Sequence, residues 1–158
     1  MRCFLGLFLL VSLIAGCGKS ENSAGGASRV EIDRTLREYS SRVFDGLELH
    51  GRHGDADEIH STFCESHSVN EGSNLQLVTH FWQIDDLPVA EARAAVDRLR
   101  KYLEIQKWQI LDYALPPEVG NAIVQAKNSR DSYVIWVKAI EEMNRVIIRV
   151  SSPCVRFP

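Results

Sequence analysis

From Trp108 to Ser151 the chain alternates four short β-prone runs with turns too brief to hold a helix. Trp108 to Leu115 ends at Pro116-Pro117, and Ala122 to Lys127 ends at Asn128-Ser129-Arg130-Asp131. Tyr133 to Ile140 ends at Glu141-Glu142-Met143-Asn144, and Arg145 to Ser151 completes the series. Parallel neighbours need a long crossover, so connections this short dictate an antiparallel meander. In the last run Val146, Ile148 and Val150 alternate with outward-facing Arg145 and Arg149, the period-two pattern of a strand with one dry and one wet face. A sheet with one apolar face needs a second layer to bury it.

Two helical patterns supply that layer. Ser28 and Glu31 have capping-box spacing, and behind them Ile32, Leu36, Tyr39, Val43 and Leu47 fall on one helical face. The pattern predicts a helix from about Arg29 to Asp45, stopped by Gly46. A second amphipathic helix carries Val89, Ala92, Val96, Leu99 and Leu103, with Asp86 as its expected cap and Pro88 in its first turn. Leu75 to Ile84 reads as a strand with Leu75, Leu77 and Phe81 on one side and Val78, Trp82 and Ile84 on the other, which suits an interior position. Leu49 to Asn74 is rich in Gly, His, Ser and Asp and reads mostly as loop, its one candidate element a short helix over Asp57 to Glu65. The expected architecture is an α+β two-layer sandwich, an antiparallel sheet of about five strands with two helices on one face.

The chain starts differently. Arg2 precedes an apolar run from Phe4 to Ile14, about 11 residues long, where a membrane-spanning helix needs roughly 20. The run ends in Leu13-Ile14-Ala15-Gly16-Cys17, which resembles the lipobox of bacterial prolipoproteins. Small residues before the cysteine let extended backbone enter a peptidase cleft, and the thiol is a soft nucleophile for a thioether with diacylglycerol. The resemblance implies a lipoprotein signal peptide over residues 1–16 and a lipidated (palmitate-bearing) Cys17. It places the protein on the extracytoplasmic face of the cell membrane. Two or three acyl chains anchor durably where one is marginal. Residues 17–28 then form a polar, small-residue tether with a coil dimension on the order of 20 Å, and residues 29–158 one globular domain.

Loss of Arg2 with the leader takes the formal charge from −3 to −4, and no basic block occurs, which speaks against nucleic acid as a partner. Besides Cys17, the exported chain keeps Cys64 and Cys154. Export leads to a disulfide-permissive space, and one pair allows one connectivity, so a Cys64–Cys154 bridge is expected. Trp108-Gln109-Ile110, Tyr133-Val134-Ile135 and Ser152-Pro153-Cys154-Val155-Arg156 resemble small lipoproteins of actinobacteria over about a third of the mature chain. That resemblance implies a secreted α+β domain with a C-terminal disulfide cysteine, and brings no catalytic residue.

Three constellations could carry chemistry. His50, His53, His60, His67 and His80 fall close together with Cys64, Asp55, Asp57 and Glu58 among them. Imidazoles, carboxylates and a thiolate are ligands for zinc or copper, and His60 and Cys64 have the spacing that shares a helix face. A disulfide would remove the thiolate, so His50, His53, His60 and His67 stand as an alternative metal set rather than the favoured reading, and His80 reads as packed or hydrogen-bonded. Trp82, Trp108, Tyr133 and Trp136 could stack on sugars but fit a sheet's core and rim, with Trp82 and Trp136 the two candidates for exposure. Asp85-Asp86 and Glu141-Glu142 sit at element boundaries, where capping and turn roles suffice. The sequence has no Gly-x-Ser-x-Gly, His-Glu-x-x-His, phosphate-loop or Cys-x-x-Cys motif. The expectation is a non-enzymatic binding or accessory module of the cell envelope that meets the membrane through its lipid and takes an envelope protein or a glycan as partner, with no cofactor.

Overall fold

A computed structural model of the chain describes residues 28–49, 55–64, 75–117 and 120–157. Helix α1 (Arg29–Leu47) opens with the expected capping box: Glu31 N–H donates to Ser28 Oγ at 3.3 Å, and Ser28 N–H donates to the Glu31 carboxylate at 3.3 Å. The helix does not stop at Gly46. It runs to Leu47 and closes at Glu48, which takes the left-handed conformation at φ 54°. Gly46 instead lets α1 approach helix α2 (Val89–Ile105): a Cβ there would lie 2.8 Å from Tyr102 Cδ1 and 2.9 Å from Leu99 Cδ1. Nor is Asp86 the cap of α2. Asp86 is itself left-handed at φ 55°, and Leu87 N–H is held by Asn144 O at 2.8 Å. That bond holds the chain against Asn144 until Pro88, whose carbonyl accepts the first helical bond from Ala92 N–H.

Among the described residues seven strands form one antiparallel sheet, two more than expected: β1 (Asp55–Phe63), β2 (Leu75–Ile84), β3 (Gln109–Ala114), β4 (Ile123–Lys127), β5 (Val134–Ile140), β6 (Arg145–Ser151) and β7 (Val155–Arg156). Their order is β1-β2-β6-β5-β4-β3, with β7 beside the start of β2. The β3-to-β6 meander and the interior place of β2 are as expected. The extra strands are β7, a two-residue pairing with Leu75 and Gln76, and β1, which replaces the loop and short helix expected around Asp57. Its residues Glu58, His60 and Thr62 alternate with Ile59, Ser61 and Phe63, but only Ile59 packs on the core. An edge strand with so few apolar side chains leaves no period to read. The register of both outer strands slips once, between Asp55 and Glu58 in β1 and between Ile110 and Asp112 in β3.

The core lies between one sheet face and the two helices. Val78, Trp82, Ile84, Val124, Ile135, Val137, Ile148 and Val150 are buried there against Leu36, Val43, Leu99 and Leu103. Among the described residues no helix is long and apolar enough to cross a membrane. Cys64, just after β1, bonds Cys154, just before β7, with S–S 2.01 Å and Cα–Cα 6.2 Å. The expected bridge thus fastens the edge strand to the C-terminal segment.

Asp97 ties α2 to the outer strand. It accepts from Tyr113 Oη at 2.8 Å and pairs with Lys101 at 2.7 Å. Those partners, Lys101 first, hold its carboxyl down to about 2. A carboxyl depressed by folding adds stability above its ordinary value near 4, and that stability is lost as pH falls toward 2. Asp97→Asn is therefore expected to lower Tm at pH 6. The difference from wild type should close between pH 4 and pH 2. A gap that stays constant down to pH 2, measured by thermal melts, would contradict this linkage.

Candidate functional site

The alternation that buries one sheet face leaves the other uncovered by either helix. Strand register sets that outer face in rows. The middle row reads Glu58, Phe81, Arg149, Trp136, Gln125 and Asp112 across β1, β2, β6, β5, β4 and β3. A parallel row reads His60, Thr79, Ser151, Val134, Lys127 and Gln109. Arg149 is the centre of the first. Its guanidinium lies 5.0 Å from the Trp136 ring centroid and 5.8 Å from that of Phe81, a cation held by an aromatic on each side. No ion pair engages Arg149 among the described residues, whereas its strand-mate Arg145 is paired with Asp85.

Beside Arg149 a depression of about 330 Å³ is lined by His60, Thr62, Leu77, Thr79, Phe81, Arg149 and Ser151. Thr79 Oγ1 and Ser151 Oγ are 2.9 Å apart. Two hydroxyls share one hydrogen bond, so one proton remains to be donated elsewhere. The depression thus offers a guanidinium, hydroxyls and an imidazole, with Phe81 and Leu77 as apolar wall.

A second polar cluster lies beneath the sheet, on the helix side. His80 Nδ1 is 2.6 Å from Ser40 Oγ, and His80 Nε2 bonds the Asp57 carboxylate. Arg37 donates to Asp57 at 3.2 Å, and the His80 hydrogen bond, ahead of Arg37, lowers the Asp57 carboxyl from its usual value. Serine, histidine and aspartate in this sequence of contacts carry the groups of a hydrolytic triad. Ser40 and His80 are each 5% exposed, however, closed in between α1 and the sheet. A nucleophile so placed cannot meet an acyl substrate without displacing the helix. The cluster satisfies a buried histidine and clamps α1 to β1 and β2, which accords with reading His80 as hydrogen-bonded.

Of the metal alternative, His50, His53 and His67 lie outside the described residues, as does Cys17. His60 is exposed on β1. Because β1 is a strand, the four-residue step from His60 to Cys64 spans about 13 Å instead of one helical turn, and the Cys64 sulfur is committed to Cys154. Among the described residues no group of three or more His, Cys, Asp or Glu could hold a metal ion. Trp82, a candidate for exposure, is buried against Phe44, its indole N–H unpartnered among the described residues. Trp108 and Tyr133 are buried around Tyr39, and Trp136 alone of the four is half-buried on the outer face. Burial and a 2.5 Å bond to Asp131 push the Tyr39 phenol above its usual value.

Of the adjacent carboxylates, Asp85 and Glu141 are engaged by the fold. Asp85 pairs with Arg145. Glu141 accepts from Gly120 N–H at 3.0 Å and from Arg93 at 2.5 Å, and these two partners, the backbone N–H first, lower its carboxyl. No family model, curated protein or solved structure matches the chain.

Proposed function

We propose that the chain is a lipid-anchored extracytoplasmic module without catalytic activity, held on the membrane by acyl chains on Cys17, that binds an envelope protein or glycan through the outer face of its sheet. The observation that carries this reading is that face itself, where an aromatic-flanked cation and a hydroxyl-lined depression stand uncovered by either helix. The Cys64–Cys154 bridge accords with export, since thiols inside most cells are kept reduced. The lipobox from Leu13 to Cys17 supplies the anchor, and burial of Ser40 argues against a hydrolase at the Ser40–His80–Asp57 cluster.

The anchor is tested by detergent phase partitioning and intact mass. Full chain expressed in a bacterial host that processes prolipoproteins is expected in the detergent phase, with mass added at Cys17. The Cys17→Ser variant is expected in the aqueous phase. Wild-type protein recovered wholly in water with an unmodified N-terminus overturns the reading.

A further inference from the structure

We infer that the depression beside Arg149 is a binding site for an anionic group, a carboxylate or a phosphate carried on a small ligand. The inference rests on the reading of the outer face as the binding surface and names the ligand chemistry that face takes.

Three observations carry it. First, Arg149 is a cation without an ionic partner among the described residues, on a chain whose formal charge is negative. A guanidinium that merely solubilised a surface would have no need of rings on both sides. Here Phe81 and Trp136 restrict its motion and leave its planar N–H edge to be satisfied from outside. Second, the donors around it converge. Thr79 and Ser151 keep one hydroxyl proton beyond their mutual bond, and Thr62 and His60 line the same hollow. A carboxylate or phosphate, rich in acceptors and poor in donors, complements such a set, and charge-assisted bonds to a guanidinium are the strong ones. Third, the basic side chains continue along the face. Lys127 stands in the row of Ser151 and His60, and Lys138 pairs in register with Ile147 in the next row. The carboxylate nearest by register, Glu58, stands across the Phe81 ring from Arg149.

The apolar parts of the hollow, Leu77 and the Phe81 ring, suit the carbon skeleton that carries the anion. An acidic sugar has both components: a ring to lie against Phe81 and a carboxylate for Arg149. A phosphate ester meets the same donors.

The test is calorimetric titration of the full chain in a non-ionic detergent at low ionic strength, with inorganic phosphate, glucuronate and glucose as probes and intrinsic tryptophan fluorescence as a second signal. Saturable binding of glucuronate or phosphate, with none of glucose, is expected. Arg149→Gln should weaken it about tenfold or more at unchanged Tm, and Ser151→Ala should weaken it less. Tighter binding of glucuronate than of phosphate assigns the site to a carboxylate, and the reverse order assigns it to a phosphate. No saturation by either anion at 10 mM overturns the inference, and so does binding that glucose matches or that Arg149→Gln leaves unchanged. Such a failure with the Cys17 anchor intact removes the anion site alone. Failure of the anchor removes the membrane attachment and leaves the anion site to this titration.

Discussion

Replacing Cys64 and Cys154 together with serine is expected to lower the unfolding free energy by about 3–5 kcal/mol. The two cysteines are 90 residues apart, and β2, α2 and the whole β3-to-β6 meander lie between them. Cross-linking so long a loop removes many conformations from the unfolded chain, and in the loop-entropy account that is where the stabilisation originates. Beside the bridge, Cys64 N–H bonds Leu75 O at 3.0 Å. Urea unfolding gives the measurement. Reductant should shift the wild-type midpoint to that of the double variant, and should not move the variant. A double variant within 1 kcal/mol of wild type would show that the closed loop contributes little.

Leu99→Ala is expected to cost about 3–5 kcal/mol, the range for a large aliphatic side chain lost from a packed core. Leu99 is fully buried at the crossing of α1 and α2, where it meets Gly46. The same crossing gives the substitution an internal control. In wild type, Gly46→Ala gains about 1 kcal/mol of helix propensity, but its methyl presses on Leu99 and Tyr102 at under 3 Å, and overpacking costs about 1–3 kcal/mol. A net loss is expected. With Leu99 already truncated, its contact is gone and the methyl fills part of the vacated space, while the Tyr102 ring remains 2.8 Å away. Gly46→Ala should then cost less than it does in wild type. Additive effects of the two substitutions, read from a double-mutant cycle, would mean that the helices do not meet through these residues.

Gly46 also illustrates how far local pattern carries. The heptad-like spacing of Ile32 to Leu47 located α1 correctly, because burial of one stripe is written in the helix's own residues. What ended the helix was not. A glycine near the end of such a stripe reads as a stop, and only the position of α2 reveals it as a contact. Asp86 failed likewise: its side chain is right for a cap, but the Leu87–Asn144 hydrogen bond, made with a residue near the far end of the chain, decides where the helix begins. The meander was legible from Trp108 onward because each strand there alternates and each turn is short. β1 was not, since Glu58, His60 and Thr62 show no apolar period, and β7 is two residues long.

The site was legible only in fragments. Alternation points Arg149 outward, and Trp136 is one of the two tryptophans that the sequence offers for exposure. That Phe81 and Trp136 flank Arg149 follows from β2, β6 and β5 being neighbours in that order, which no single strand encodes. The Ser40–His80–Asp57 contacts join residues from α1, β2 and β1, far apart along the chain and without a local signature.

The slipped registers in β1 and β3 bear on how copies of this chain behave when crowded. A regular outermost strand offers successive N–H and C=O groups at even spacing, and a neighbouring molecule can extend the ribbon by docking its own margin alongside. Here each margin carries an irregularity, at Asp55–Glu58 on one and at Ile110–Asp112 on the other, so the ladder that a second molecule would have to match is broken partway along. Packing many copies into a small area therefore raises their encounter rate without handing them an edge regular over the full length of either outer strand.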